Sequence, residues 1–551
     1  MTKKIVIIGA GYSGTLTAKK LAKQLDKQDV EITLINKNSF HTMLTELHEV
    51  AAGRIEESGI RLELNKIFQG RKVKVVLDTV EEVDFKNQKI TGQKQSYSYD
   101  YLVLAAGSRP NYYGISGASE FSYSLWSYEA AVRLNERIQE VFHRAQSLTD
   151  EISRKKLLSF WVIGAGFSGV EMISELAEYI PVLCDKYGVS EDDVTLCNVD
   201  GLSRVIPNLN EKLSAKAEKK LVNKGIRVIL NTKVDSMGED FICLKTGEEV
   251  QKFEAGTIIW TAGTQGEAIV KQADDKLDCC RGRIQVDEYL RSVSDKKVYV
   301  VGDNMFYVAP GEANAVPQMV ENCEQSAHTA AVNLSTEIIG SGKMHPYKPV
   351  FHGVMVSIGS GDGVASIALK GHNLSLSGFF AIAAKHFINV IYFIQVLGWN
   401  KVYQYLADEI FGIRNCRSLV GGHFSNRTPN FLSVPLRIWI GIVWLMTGLN
   451  GTDTFFYSVH NQVYHAITII IGLMLIGGLF TTLAAWTSFV LQIIFMVMTK
   501  ADIGNAWMMI STFAILFGAG KVMALDYYVM PYLNKWWKKL PFISKWYLYQ
   551  D

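Results

Sequence analysis

Cysteine is scarce in this sequence, and the few cysteines form no cross-linking or metal-binding pattern. Seven occur in 551 residues, and none belongs to a Cys-x-x-Cys pair. An odd count gives no disulfide framework, and the missing pair spacing argues against iron–sulfur clusters and structural zinc sites. We therefore expect reduced thiols, as in a cytosol, and no metal centre.

The sequence also has little excess charge and no region typical of a signal peptide. Its 56 basic and 54 acidic residues leave a net charge of +2. Nucleic-acid-binding proteins usually concentrate basic residues on one face, so we expect no nucleic-acid partner. The first residues, MTKKIVIIGAG, lead directly into an apolar strand. We therefore expect the N-terminal part to remain in the cytoplasm.

Charged residues become rare after residue 430. Four apolar stretches follow, at 435–450, 463–480, 483–499 and 506–525. A helix needs roughly 20 apolar residues to cross a bilayer, and the stretches approach that length. A buried four-helix bundle in a soluble protein is the alternative, but it does not require such a shortage of charge. The pattern predicts an all-α transmembrane domain of four spans within 431–551.

The basic residues around these stretches predict their orientation. Arg427 and Arg437 lie near the start of the first stretch, and KWWKK (535–539) follows the fourth, whereas 450–462 contains no Lys or Arg. Basic residues favour the cytoplasmic side. We expect a multi-pass protein of the cell membrane with both ends of this domain, and the N-terminal part, on the cytoplasmic side.

Two glycine-rich turns stand between an apolar strand and a helical pattern. The first contains Gly9, Gly11 and Gly14 and the second Gly164, Gly166 and Gly169. In a Gly-x-Gly-x-x-Gly turn the first glycine allows the bend, the second admits a pyrophosphate, and the third packs the helix against the strand. The sequence therefore predicts an α/β fold with two doubly wound Rossmann-type domains that bind dinucleotides.

Each unit is expected to place an acidic residue after its second strand, where it binds the adenosine ribose. The residues interpreted as occupying these positions are Asn36, followed by Lys37, and Asn198. An asparagine still hydrogen-bonds a ribose hydroxyl but does not repel a 2′-phosphate. NADH and NADPH are therefore both left open as substrates.

Three further segments complete the pattern: YDYLVLAAGSRPN with Ala106 and Gly107, GTIIWTAGTQG with Gly263, and a strand that ends in Gly302-Asp303. With the two turns, they resemble the flavoproteins that have two dinucleotide-binding domains. The resemblance implies an FAD domain over 1–115 and 293–370 and an NAD(P)H domain over 116–292. It also implies that Asp303 binds the ribityl and phosphate region of FAD.

Within that group the sequence resembles the type II NADH dehydrogenases, on the segments 41–53, 164–171, 258–263 and 348–365. The cysteine pair of disulfide reductases is missing from 40–53. The resemblance implies hydride transfer from NADH to FAD and electron transfer to a membrane quinone such as menaquinone. It implies a position beside nicotinamide and flavin for Glu171, and a quinone pocket at Glu321 and Gln325, where Glu321 replaces a family Gln.

Residues 371–430 are predicted to form amphipathic helices on a membrane surface and a linker at 411–431. Residues 431–551 resemble the four-span DoxX family, on span spacing and the closing GAGKVMALD (518–526). Two alternatives stay open: an NAD(P)H oxidoreductase that delivers electrons to oxygen, ferric species or a protein partner, and a non-enzymatic membrane scaffold. A homodimer is also left open.

Overall fold

The computed structural model describes residues 2–267, 269, 276–369, 372–407, 430–450, 462–499, 506–516 and 519–548. The chain forms two compact units, an N-terminal unit of Met1–Ser425 and a C-terminal unit of Asn426–Asp551. The predicted linker at 411–431 lies outside the described residues except for its last two positions.

Twenty-six strands are described, all in the N-terminal unit. The first thirteen are β1 (Lys3–Ile8), β2 (Val30–Asn36), β3 (Phe40–Thr42), β4 (Arg61–Glu63), β5 (Lys74–Leu77), β6 (Val80–Asp84), β7 (Lys89–Gly92), β8 (Ser96–Ser98), β9 (Tyr101–Leu104), β10 (Ser108–Pro110), β11 (Ser122–Ser124), β12 (Ser159–Ile163) and β13 (Thr195–Val199). The others are β14 (Arg227–Ile229), β15 (Lys233–Met237), β16 (Phe241–Thr246), β17 (Glu249–Glu254), β18 (Thr257–Trp260), β19 (Thr264–Gly266), β20 (Cys279–Cys280), β21 (Arg283–Gln285), β22 (Val298–Val300), β23 (Met305–Phe306), β24 (Gly353–Ser357), β25 (Gly363–Leu369) and β26 (His372–Ser377).

The described helices occur in both units. Those of the N-terminal unit are α1 (Tyr12–Gln24), α2 (Leu47–Ala51), α3 (Leu64–Ile67), α4 (Ala118–Phe121), α5 (Tyr128–Gln146), α6 (Glu151–Leu157), α7 (Phe167–Tyr187), α8 (Glu211–Asn223), α9 (Val320–Ile339) and α10 (Phe379–Ala407). Those of the C-terminal unit are α11 (Ser433–Asn450), α12 (Gln462–Gly477), α13 (Thr481–Thr499), α14 (Ala506–Ile515), α15 (Asp526–Trp537) and α16 (Pro541–Trp546).

The first large sheet has the order β22-β9-β1-β2-β5 and is parallel throughout. Its central strand β1 consists largely of isoleucine and valine, and Ile5 and Ile7 are fully buried. Such continuous apolar strands are typical of a parallel sheet covered on both faces. The strands come from 3–104 and from 298–300, so distant parts of the chain meet in one sheet.

The second large sheet, β11-β18-β12-β13-β14, is also parallel and repeats this design. In each sheet, a glycine turn and a long helix connect a strand to its parallel neighbour, giving the units β1–α1–β2 and β12–α7–β13. The predicted pair of Rossmann-type units is confirmed.

All regular secondary structure described in the C-terminal unit is helical. Its core contains Ile440, Trp444, Leu475 and Ala485, yet large apolar side chains such as Val497 (75 % exposed) also face outward. A helix that is apolar on all sides suits a lipid environment. In the described residues, Phe379–Leu406 and Asn430–Leu449 are long and apolar enough to cross a membrane, whereas three further apolar helices are shorter.

The helices differ in length from the predicted spans. The first three predicted spans coincide with α11, α12 and α13, but α14 ends at Ile515, ten residues before the end of the predicted fourth span. A short 3₁₀ helix at Ala519–Lys521 follows. In the segment 371–430, which was predicted to form surface helices and a linker, residues 372–377 form β26 instead of helix, and Phe379–Ala407 form α10, which is kinked at Gly398 (φ 69°).

Candidate active site

The first glycine turn follows the carboxyl end of β1 and is tightly packed except at one point. A Cβ on Gly9 would lie 2.4 Å from the Ala105 carbonyl oxygen, and one on Gly14 would lie 1.8 Å from the Gly9 carbonyl oxygen. A Cβ on Gly11 would meet nothing within 4 Å. The turn is therefore closed against the sheet and open at Gly11, as the approach of a pyrophosphate requires.

The second turn repeats this geometry after β12. A Cβ on Gly169 would lie 1.8 Å from the Gly164 carbonyl oxygen, whereas one on Gly166 would meet nothing within 4 Å. Gly164 has a φ of +107°, which favours glycine.

At the N-termini of the two helices that begin at these turns, the first backbone N–H groups are not capped by any described side chain. Among the described residues, no side chain caps α1 or α7, while Ser127, Asp150 and Asn210 cap α5, α6 and α8. Uncapped N–H groups and the helix dipole favour an anion at such an end. Both turns therefore fit the pyrophosphate of a dinucleotide.

The residue at the end of the second strand is the expected one in the first unit but not in the second. Asn36 ends β2, and its Oδ1 accepts a hydrogen bond from the Ala10 N–H at 2.9 Å. Asp200 follows β13 and accepts in the same way from the Ala165 N–H at 2.6 Å. Since Ile8 pairs with Ile35 and Ile163 with Val199, the counterpart of Asn36 is Asp200.

Asn198 instead lies inside the second sheet and is fully buried. Its amide donates to the carbonyl oxygens of Val162 and Gly164, which places it behind the glycine turn. Lys37 is exposed beside Asn36. Asn198 is paired within β13, one residue before that strand ends, so it lies inside the sheet and not at the carboxyl edge where the sequence interpretation placed it.

The remaining predicted cofactor residues lie at the same edges of the two sheets. Ala106 and Gly107 follow β9, and Asp303 follows β22, beside the first turn. Ser108 Oγ donates to Asp303 Oδ2 at 2.6 Å, and burial raises the pKa of Asp303. Gly263 follows β18, beside the second turn. Ligands of open α/β sheets bind along such carboxyl edges.

Glu171, near the start of α7, has a strongly perturbed environment. Its side chain is 15 % exposed, and its Oε1 accepts hydrogen bonds from Ser357 N and Ser357 Oγ, each at 3.2 Å. Burial raises the pKa of Glu171 to about 7, although the charge of Lys385 and the bonds from Ser357 act against this. Near neutral pH this carboxyl group can both hold and release a proton.

Glu171 belongs to a set of buried charged residues whose other members the sequence analysis did not identify as site residues. We call it the buried charge cluster, and it comprises Glu46, His48, Glu49, Arg54, Glu171, Glu175 and Lys385. Apart from Glu171, each member is at most 8 % exposed. Charges at such depth are retained only where partners stabilise them.

The cations of the cluster connect α10 and α2. Lys385 Nζ lies 2.8 Å from Glu49 Oε1 and 3.1 Å from Glu46 Oε2. Arg54 pairs with Glu49, and its Nε lies 3.4 Å from Glu175 Oε1.

Glu46 and Glu49 respond oppositely to this environment. Burial, and then the charge of Glu49, raise the pKa of Glu46 well above 4.5. Burial alone would also raise the pKa of Glu49, but Arg54 and Lys385 outweigh it and hold this pKa well below 4.5. The two carboxyl groups share a hydrogen bond. A proton shared by the two groups is therefore held more readily by Glu46 than by Glu49.

The predicted quinone residues Glu321 and Gln325 lie on α9 and hold the segment that precedes β24. Glu321 Oε1 lies 2.5 Å from His352 Nδ1, and both carboxylate oxygens accept from the His352 N–H. Gln325 bonds both the N–H and the carbonyl oxygen of Val350.

Two sequence signals could have pointed to the buried charge cluster. Glu46, His48 and Glu49 are crowded into a short segment that also contains apolar residues, and Lys385 interrupts an apolar helix. Each signal is ambiguous alone, because a charged residue on a short helix is usually exposed.

The sequence relationships agree with this geometry. Residues 3–330 match the pyridine nucleotide-disulphide oxidoreductase family. The chain is 30 % identical over 365 residues to the type II NADH:quinone oxidoreductase of Staphylococcus haemolyticus, spanning 66 % of this chain and 90 % of the relative. The chain belongs to the type II NADH:quinone oxidoreductase family. The homologous enzyme of Staphylococcus aureus is 29 % identical over the same shares.

Solved structures share the fold of this type II family member. NDH2 from Plasmodium falciparum, in complex with NADH, aligns with a TM-score of 0.67 at 17 % identity, over 74 % of this chain and 97 % of that one. The sulfide:quinone oxidoreductase of Aquifex aeolicus aligns with a TM-score of 0.59 at 20 % identity, over 74 % and 93 %. At these sequence identities the structural similarity shows a shared fold and nothing further.

Proposed function

We infer that this chain is an FAD-dependent NADH:quinone oxidoreductase. One observation carries this conclusion. The chain belongs to the type II family and has two glycine turns, each open at its second glycine and each followed by a helix without a side-chain cap. FAD supplies the two-electron carrier between NADH and quinone. The protein positions the substrates and supplies or accepts protons.

The cofactor and NADH are assigned to the two sheets. Residues 1–115 and 293–370 hold FAD, with Gly11 at the pyrophosphate and Asp303 near the ribityl chain. Residues 116–292 hold NADH, with Gly166 at the pyrophosphate and Asp200 at the ribose. A carboxylate at the ribose repels a 2′-phosphate, which favours NADH over NADPH.

Glu171 acts at the reaction centre as a proton-holding carboxyl group, in the position that the family resemblance implies. The quinone site is assigned to the region of α9 and α10, which contains Glu321, Gln325 and Lys385. In this arrangement Glu321 acts by holding the His352 segment in place, because its carboxylate is already engaged there.

The exposed face of α10 is the proposed contact with the lipid surface. Phe380, Phe387 and Trp399 are each 65–68 % exposed on this helix, and such side chains can be buried at the boundary between lipid headgroups and acyl chains. A lipid quinone would reach the protein from this side.

The C-terminal unit is proposed to be a DoxX-like domain of four membrane spans, with KWWKK on the cytoplasmic side. Its support is the run of apolar helices α11 to α14 and the basic residues that flank them. The protein is then a multi-pass protein of the cell membrane, with its flavin domain in the cytoplasm.

Two stopped-flow measurements test the catalytic proposal. Purified protein in detergent should be yellow, and NADH should bleach it anaerobically. A menaquinone analogue should then restore the colour at least about tenfold faster than oxygen does. Failure of NADH to bleach the protein would support a scaffold, and failure of the quinone to accelerate reoxidation would support another acceptor.

A further inference from the structure

The buried charge cluster contains more acid than base. Its four carboxyl groups, those of Glu46, Glu49, Glu171 and Glu175, face two permanent cations, Lys385 and Arg54. With His48 neutral, complete ionisation would leave a net charge of −2 in a buried site. Buried charge of that size is avoided by binding protons, so the cluster stores at least one.

The carboxyl pair of Glu46 and Glu49 is where the stored proton resides. Asn389 Nδ2 donates to Glu46 Oε1 at 2.8 Å, and Lys385 lies against both carboxyl groups. The other charged or titratable groups facing the cluster are Arg54, Glu171 and Glu175, with His386 on α10. Two carboxyl groups in contact retain one proton between them.

His48 stands between this pair and Glu171. Its Nε2 lies 3.7 Å from Glu49 Oε1, and its Nδ1 lies 3.8 Å from Glu171 Oε2. Both distances are within about 1 Å of hydrogen-bond length. Ser357 Oγ lies 3.4 Å from His48 Nε2 and donates to Glu171 Oε1 at 3.2 Å. Burial, and then Lys385, lower the pKa of His48, so the ring is neutral at rest and able to accept a proton.

We propose that the Glu46–Glu49 pair is a proton store for Glu171 and that His48 carries the proton between them. This rests on the proposed function, in which Glu171 gives up a proton during quinone reduction. Conversion of a quinone to a quinol takes two electrons and two protons, of which NADH supplies the electrons and one proton. The second proton comes from the protein.

The transfer is a proton movement without oxidation. The O–H bond of the carboxyl pair breaks as an N–H bond forms at His48 Nε2. The N–H bond at Nδ1 breaks as an O–H bond forms on Glu171, and the imidazole is left neutral in its other tautomer. The pair, now doubly ionised, regains its proton from solvent. Glu46, Glu49 and His48 are thus positioning and relay residues, because none is required to touch the quinone.

The test separates the two half-reactions in the full-length holoenzyme. Glu46→Gln retains the shape of a protonated carboxyl group but cannot release a proton, and His48→Gln retains polarity but cannot relay one. Bleaching by NADH should stay within about twofold of wild type in both variants. Reoxidation by a menaquinone analogue should slow at least about tenfold, and should fall further as the pH rises above neutrality.

Glu178→Gln is the matched control, because Glu178 lies on α7 like Glu171 but pairs with Lys224 at 2.6 Å. It should reoxidise with the wild-type rate and pH profile. Wild-type rates and profiles in both Glu46→Gln and His48→Gln would overturn the proposal. A wild-type protein that quinone does not reoxidise would instead refute the proposed function.

A measurement on the wild type does not depend on how the variants fold. With a pH indicator in weakly buffered solution at low temperature, proton uptake should lag behind quinone-driven reoxidation, because the stored proton is consumed first. Uptake in step with reoxidation would contradict a store.

Discussion

The glycines of a single nucleotide-binding turn have different roles. At Gly166 the space beyond the Cα is open, whereas at Gly169 it is filled by the Gly164 carbonyl oxygen. One position therefore serves the ligand and the other serves the packing of helix on strand.

Gly166→Ser should raise KM for NADH about tenfold, equivalent to about 1.4 kcal/mol, while leaving Tm unchanged. The added side chain would occupy the pyrophosphate position without meeting the protein. Gly169→Ala should lower Tm, because its Cβ cannot be accommodated. Steady-state kinetics and thermal unfolding of both variants check this, and an unchanged KM in Gly166→Ser would contradict the assignment of the NADH site.

Asp200→Asn should narrow the preference for NADH over NADPH in kcat/KM about tenfold. The change removes the charge that repels a 2′-phosphate and keeps an acceptor for the Ala165 N–H. Kinetics with both nucleotides measure the ratio. Asp192→Asn, at an exposed position before β13, is the control and should leave the ratio unchanged; an equal change in both variants would argue against a ribose contact.

At the scale of elements, the ion pairs of Glu49 join α2 to α10 and to Arg54. Removing one partner of a buried ion pair leaves the other charges uncompensated, and typically costs about 3–5 kcal/mol. The loss of one partner from a pair that is partly accessible to solvent costs less.

Glu49→Gln should therefore lower the free energy of unfolding at pH 7 by about 3–5 kcal/mol. Because the folded pKa of Glu49 lies below 4.5, its contribution is fully present above pH 4.5 and is lost as the pH falls through the folded pKa. The deficit of the variant should shrink below pH 4.5. Urea unfolding at several pH values measures it, and Glu178→Gln should cost about 1 kcal/mol or less.

We expect the exposed face of α10 to contact the lipid surface. Phe387→Asp with Ile391→Asp should lower the rate with a long-chain quinone in vesicles severalfold, because charged side chains leave the lipid surface. The rate with a short, water-soluble quinone should not change. Ile152→Asp, at a 74 % exposed position on α6, is the control, and equal losses with both quinones would contradict a membrane contact.

For the whole molecule, the flanking charges predict one topology of the C-terminal unit. Ser458→Cys lies in the segment without basic residues and should react in intact cells with a membrane-impermeant thiol reagent. Tyr532→Cys, near KWWKK, should react only after the membrane is broken. All seven native cysteines precede residue 430 and serve as internal controls. The reverse labelling pattern would show that the C-terminal unit has the opposite orientation in the membrane.

The family, the two Rossmann-type units and the nucleotide turns could be predicted from the sequence, because their determinants are local. A glycine between an apolar strand and a helix needs only its neighbours to define a turn. The apolar helices after residue 430 could likewise be predicted, because their amino-acid composition is almost entirely apolar. The counterpart of Asn36 in the second unit could not be predicted, because Asn198 and Asp200 lie two positions apart on the same face of a strand, and only the observed end of β13 shows which of them lies beyond the sheet.

The buried charge cluster was decided only by the tertiary structure. Glu49 and Lys385 are separated by 336 residues along the chain, and nothing local in either segment indicates the other. Whether a carboxyl group keeps or loses its proton depends on burial and on charges brought near by folding. The sequence by itself thus determined which nucleotide-binding architecture this protein has, and the packing of α2, α7 and α10 determined which of its charged side chains are buried together.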